Sequence, residues 1–137
     1  MKSSKTSRQI QGEIDEHQAR TKLIARVRKL LDKWEPILGV KVGEVHARKM
    51  KSYWASVNEH DKRMWVSPDL ANQPTKFIEY VVVHELVHIV TDTECKKSGG
   101  GRACGGHDAK FYEIMDRNLP GWRKQHALYA GPMTQHS

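Results

Sequence analysis

The sequence predicts a single α+β domain in which a small antiparallel sheet packs on a buried helix, with further helices flanking it. Three observations carry that prediction. From Glu13 to Glu35 the residues Leu23, Val27, Leu30, Leu31 and Trp34 recur at helical spacing. From Val40 to Ser67, Val, Tyr, Trp and Met return at the short intervals of strands. From Pro74 to Val90 an apolar run continues without punctuation, too long for an ordinary strand. The 137 residues suffice for one modest core and are too few for two.

Taken in order, residues 1–12 are rich in Ser, Thr, Lys and Gln with almost nothing to bury, which predicts a disordered basic tail. Residues 13–130 form the expected domain, and residues 131–137 a C-terminal tail. The first helix carries Arg26, Arg28, Lys29 and Lys33 opposite its apolar stripe, and Pro36, lacking an N–H, is expected to end it. Strands are expected near 40–48, 52–58 and 63–67, with Asn58-Glu59-His60-Asp61 as a turn. One face of this sheet would pack on helices, and the Trp54, Ser56 and Trp65 region would leave the other toward solvent or substrate. Next, Pro74-Thr75 opens a helix. Val81, Val82 and Val83 favour a strand by propensity, but the length of the run decides for a helix, and apolar residues on every side place it at the centre of the domain. A Gly- and Lys-rich loop follows from Cys95 to Gly106. The last helix is expected to start near His107 or Asp108 and to end by Leu119-Pro120-Gly121, with Phe111, Ile114 and Met115 inward.

Composition narrows the function classes. A formal charge of +7 favours polyanions through non-specific electrostatics, including nucleic acid. The basic residues are nevertheless dispersed, and no recognition module with interleaved aromatics stands out, so a solvated basic face is the preferred reading. No stretch approaches 18 consecutive apolar residues, and no apolar core follows Lys2, Lys5 and Arg8. Neither a membrane span nor a signal peptide is expected, and the expected location is cytoplasmic. The two cysteines, Cys95 and Cys104, lack the CxxC spacing of structural zinc sites; in a reducing compartment the default is two free thiols, with a disulfide or a metal-ligating pair as lesser readings.

The chemistry concentrates in His84-Glu85-Leu86-Val87-His88. Histidines at i and i+4 stack on one helix face, Cβ atoms about 5–6 Å apart, so both imidazoles can reach one metal ion. Glu85 is rotated by about 100° from His84, poorly placed as a co-ligand but able to take a proton from water held at the metal. Two histidines and a glutamate in an apolar helix would cost several kcal/mol unless satisfied, and a metal with its water satisfies them. A third ligand must come from elsewhere; downstream stand Asp92, Glu94, Cys95, Cys104, His107, Asp108 and Glu113. His107 is favoured, because Gly105-Gly106 allows the chain to bring the next helix back over the first. Zinc suits this donor set best, although nickel, cobalt or copper bind such ligands too.

Five pieces stand in order along the chain: Trp34-Glu35-Pro36, Lys49-Met50-Lys51-Ser52-Tyr53-Trp54-Ala55-Ser56, Glu79 through His88, His107-Asp108 with Phe111, and Leu119-Pro120-Gly121-Trp122. In them the stretch from Trp34 to Trp122 resembles the YgjP-like metallopeptidases, relatives of the SprT and WLM zincins. The resemblance implies a zincin-like fold and a zinc-dependent metallopeptidase acting on peptide or protein substrates. It also implies that His107 is the third zinc ligand beside His84 and His88, with Glu85 as general base. Two departures stand out. This chain has Trp54-Ala55-Ser56-Val57 where the family usually reads Trp-Gly-Ser-Cys, and eighteen residues separate His88 from His107 where the family connection is short.

An extended peptide would lie along the edge strand past Tyr53 or Trp54, and Arg48, Arg123 and His126 are candidate oxyanion stabilisers. Two other classes compete. One is a metal-dependent nucleotide or phosphoanhydride hydrolase, against which stands the lack of a GxxxxGK[ST] loop and of a carboxylate pair for magnesium. The other is a DNA-associated protease or binding module.

Overall fold

The computed structural model describes residues 4–51, 53–58, 60–97, 99 and 107–130. Helix α1 runs Ser7–Leu38. It starts well before Glu13, so the expected tail is helical from Ser7 onward. The reason is local: Thr6 Oγ1 accepts from the Gln9 amide and Gln9 Oε1 accepts from the Thr6 amide, a reciprocal capping box. Lys5 pairs with Glu13 at 2.5 Å and Gln11 donates to Asp15 at 2.9 Å. Residues 4–22 are nevertheless all exposed, so this part of the helix buries nothing, as its composition implies. The buried stripe is Leu23, Val27, Leu31 and Trp34. Pro36 lies inside the helix and does not end it; in the last turn its absent N–H costs one bond, to the carbonyl of the exposed Asp32. The stop comes at Gly39, left-handed at φ 73°, whose N–H reaches Glu35 O at 2.8 Å.

Strands β1 (Glu44–Ala47), β2 (Ala55–Asn58) and β3 (Arg63–Val66) form one sheet in the order β1-β3-β2. The sheet is mixed, not wholly antiparallel: β2 and β3 are antiparallel, whereas β1 and β3 are parallel. Successive strands do alternate in direction. The chain crosses from β1 to the far edge before laying down β2, so β3 fills the middle and meets β1 in the same sense. Val45, Ala55, Met64 and Val66 face the helices. Trp54 also turns inward, packing edge-on against Phe77 with ring centroids 5.4 Å apart, so it belongs to the core and not to a substrate path. Arg48 covers the ring of Trp65, centroid distance 5.4 Å, on the outer face.

A 3-10 turn, Pro68–Asn72, leads into α2, Thr75–Lys97. Every residue from Tyr80 to Ile89 is buried, so tertiary burial overrides the strand propensity of the three valines. Lys33 and Trp34 of α1 hydrogen-bond Glu79 of α2. Arg26 donates to Ala71 O and Thr75, and Arg28 to Val42 O and Gly43 O, so these two cations tie segments together instead of forming a free basic face. Cys95 lies within the last turns of α2 and is disulfide-bonded, against the expected free thiol; Cys104 lies outside the described residues, as does the tail at 131–137. Helix α3 spans Ala109–Asn118 with Phe111, Ile114 and Met115 buried as expected. Beyond the expected end a further helix, α4 (Trp122–Gln125), continues as a π-helical turn, His126–Ala130. Among the described residues no helix is long and apolar enough to cross a membrane.

Candidate metal centre

The two histidines of α2 stand one turn apart and open toward the start of α3. There Asp108 caps the helix, its Oδ1 accepting from the Phe111 amide at 2.9 Å, which fixes the backbone just after His107. The three imidazoles converge. His84 Nε2 lies 3.1 Å and His88 Nε2 2.9 Å from His107 Nε2. His84 and His88 are buried and His107 half-buried, and together they form a group able to hold a metal ion. The spacing suits one: two nitrogens at about 2.0–2.1 Å from one tetrahedral ion stand roughly 3.3 Å apart, close to the two distances from His107, and all three donor atoms lie within 4.8 Å of one another. Neutral imidazole nitrogens are the right donors for a borderline-soft divalent ion. Phe111 props all three rings, with centroids 5.2, 4.7 and 4.6 Å from those of His84, His88 and His107.

Glu85 is 3% exposed, and its Oε1 lies 3.5 Å from His84 Nδ1. Of the other ligand candidates, Asp108 is engaged in the cap and Glu113 pairs with Arg117 at 2.5 Å. Asp92, Glu94 and Cys95 do not join the converging group, and Cys104 lies outside the described residues.

Beside the triad opens a cavity of about 570 Å³. His84, His107 and Phe111 form one wall; Tyr80, Tyr112, Trp122, Arg123 and His126 form the rest. Arg123 and His126, two of the oxyanion candidates, are therefore at the site. Arg48 is away from it, on the outer face of the sheet over Trp65. Tyr80 OH and His126 Nδ1 are 2.9 Å apart. Burial, then the nearby charge of Glu85, then Tyr112 push the Tyr80 hydroxyl well above its usual pKa, so it stays protonated. Burial, then the neighbouring His84, hold His126 below the ordinary histidine value. Asp116 accepts from Trp122 Nε1 at 2.9 Å and pairs with Arg123, whose guanidinium lies 4.6 Å over the Trp122 ring.

Sequence reasoning gave Tyr80, Tyr112 and Trp122 no role at the site. Only Tyr80 left a signal, standing one helical turn before His84. Trp122 reaches the cavity because Gly121, at φ 96°, reverses the chain after Pro120, which spacing alone does not disclose.

None of the curated proteins matches the chain significantly. Among solved structures it is similar to the metallopeptidase zymogen of Pyrococcus abyssi abylysin, with a TM-score of 0.57 and 22% identity, covering 74% of this chain and 89% of that one. At that identity the likeness concerns the fold. A family model described as the YgjP-like metallopeptidase domain matches residues 2–128, nearly the whole length, so the chain belongs to the YgjP-like metallopeptidase family.

Proposed function

We propose that the chain is a zinc-dependent metallopeptidase in which His84, His88 and His107 hold the ion and Glu85 is the general base. The observation that supports this best is the convergence of three imidazole nitrogens, two from α2 and one from the residue ahead of the α3 cap, with a buried carboxylate one residue along from the first. A bound zinc ion would supply Lewis acidity, polarising a scissile carbonyl and lowering the pKa of a water toward about 7. The protein does the rest. His84 and His88, fixed on a buried helix, and His107, fixed by the Asp108 cap, set the donor geometry in advance. Glu85 accepts the proton of the attacking water at its carboxylate and returns it to the leaving amine. His126, facing the cavity, is the favoured candidate for holding the carbonyl oxygen as charge develops on it, since Arg123 is paired with Asp116. The partner is a peptide or protein substrate. The nucleotide-hydrolase reading draws on the basic composition, and the DNA-associated reading on that composition, the basic first helix and analogy with the SprT relatives.

Elemental mass spectrometry on protein purified without added metal tests the ligand set. Near-stoichiometric zinc is expected in wild type and in Glu85→Gln, with loss in His84→Ala and His107→Ala. Peptide cleavage by wild type, reduced at least a hundredfold in zinc-loaded Glu85→Gln, is expected from losing a general base. Zinc retained in His107→Ala, or full activity in Glu85→Gln, would overturn the assignment.

A further inference from the structure

We propose that the cavity beside the histidine triad seats one aromatic side chain of a peptide substrate, that of the residue flanking the bond to be cut; this rests on the peptidase reading above. Contiguity is the first argument. His84 and His107 form part of the cavity wall, so a side chain seated there hangs from a backbone within a residue of the metal centre.

The second argument is the character of the walls. Tyr80, Trp122 and Tyr112 present nearly parallel rings: Tyr80 and Trp122 are inclined by 8° at 6.0 Å, Trp122 and Tyr112 by 13° at 5.9 Å. With Tyr80 and Trp122 only 2% and 7% exposed and Arg123 over the Trp122 ring, this wall offers an incoming ring chiefly ring edges and the uncovered part of Tyr112, for edge-to-face and offset contacts. Tyr112 is 38% exposed at the rim, leaving ring surface for an incoming ring to cover. The volume, about 570 Å³, lies in the usual range of small-ligand pockets, roughly 300–1,000 Å³, and admits the largest side chains.

Charge supplies the third argument. Arg123 lies over both Trp122 and Tyr112, at 4.6 and 5.8 Å, and is ion-paired with Asp116. A carboxylate occupant must compete with Asp116 for that guanidinium, and a lysine or arginine occupant would meet a like charge. A nucleoside triphosphate demands several uncompensated cations, whereas the one arginine in this wall already has its counter-ion. A neutral ring meets none of these obstacles.

The test is to digest a mixture of unbiased synthetic peptides with the zinc-loaded enzyme and read the new termini by mass spectrometry. Cleavage is expected beside Phe, Tyr or Trp about tenfold more often than beside Ala, the scale of discrimination a well-packed apolar pocket gives. Tyr112→Ala should lower that ratio severalfold, and Arg123→Glu should admit Lys and Arg at the same position. In parallel, N-acetylphenylalanine amide should shift the Trp122 indole N–H resonance of the zinc-loaded protein while N-acetylalanine amide does not. Cleavage spread evenly over flanking residues, or an aromatic preference untouched by both variants, overturns the proposal and leaves the peptidase reading standing. If no peptide is cut, it is the peptidase reading that fails, and binding judges the cavity by itself. A Trp122 shift with the phenylalanine amide then keeps it as an aromatic-ring site, and a shift with ATP but not with the amide overturns it.

Discussion

At the residue scale, Glu79 and Glu85 show what decides the role of a carboxylate on one helix. Glu79, half-buried, accepts from Lys33 Nζ and Trp34 Nε1, both at 2.9 Å, and so ties α2 to α1. Burial pushes its pKa up, but the two hydrogen bonds and the charge of Lys33 outweigh burial, and the net shift from 4.5 is downward. A carboxyl with a depressed folded pKa adds stability that is present above its unfolded value and lost as pH falls through the folded one. Glu79→Gln is therefore expected to cost about 1 kcal/mol at pH 7, the scale of a charge-assisted bond discounted for partial exposure. Urea titrations of both proteins at pH 7 and pH 3 check this: the gap should narrow in acid, and an equal gap at both would show that the charge is not what stabilises the pair. Glu85, 3% exposed, lies beside His84 instead of a lysine, and its placement suits the proposed proton transfer.

At the scale of the element, α3 depends on its first turn. A ten-residue helix is marginal by itself, and its start carries His107 just outside, Asp108 as cap and Phe111 against all three imidazoles. Asp108→Ala should cost about 1 kcal/mol in stability and weaken zinc binding severalfold, while Asp108→Asn, which still caps, should preserve both. Thermal melts together with competition against a chromophoric chelator measure the two effects; lost stability with unchanged zinc affinity would separate the cap from the ligand. Much of this element was legible, because a capping Asp, a helical stripe and Gly105-Gly106 before His107 are local signals. The spacing of His84 and His88 and the length of the apolar run were equally local. What the sequence hid was non-local. The parallel pairing of β1 with β3 depends on a crossover, and the ring wall of Tyr80, Tyr112 and Trp122 depends on how α4 folds back after Gly121. The early start of α1 was missed because hydrophobic periodicity is silent where nothing is buried, even though Thr6 and Gln9 spell a capping box.

At the scale of the whole molecule, α2 is the axis on which α1, the sheet and α3 pack, and the histidine triad is where α2 and α3 are joined by chemistry as well as by packing. An ion held between α2 and His107, just ahead of α3, would bind the folded chain and find no comparable site in the unfolded one, so its binding would add directly to stability. At free zinc one hundredfold above its dissociation constant the gain is about 2.7 kcal/mol. For a domain of this size that corresponds to roughly 10 °C in melting temperature. Calorimetry of chelator-treated and zinc-loaded protein should therefore show a rise that grows with the logarithm of zinc concentration. Glu85→Gln should keep the full rise, since it leaves the donors intact, and His84→Ala should lose most of it. An equal rise in His84→Ala would mean that zinc stabilises the chain from somewhere other than the triad, and the link between α2 and α3 would then rest on packing alone.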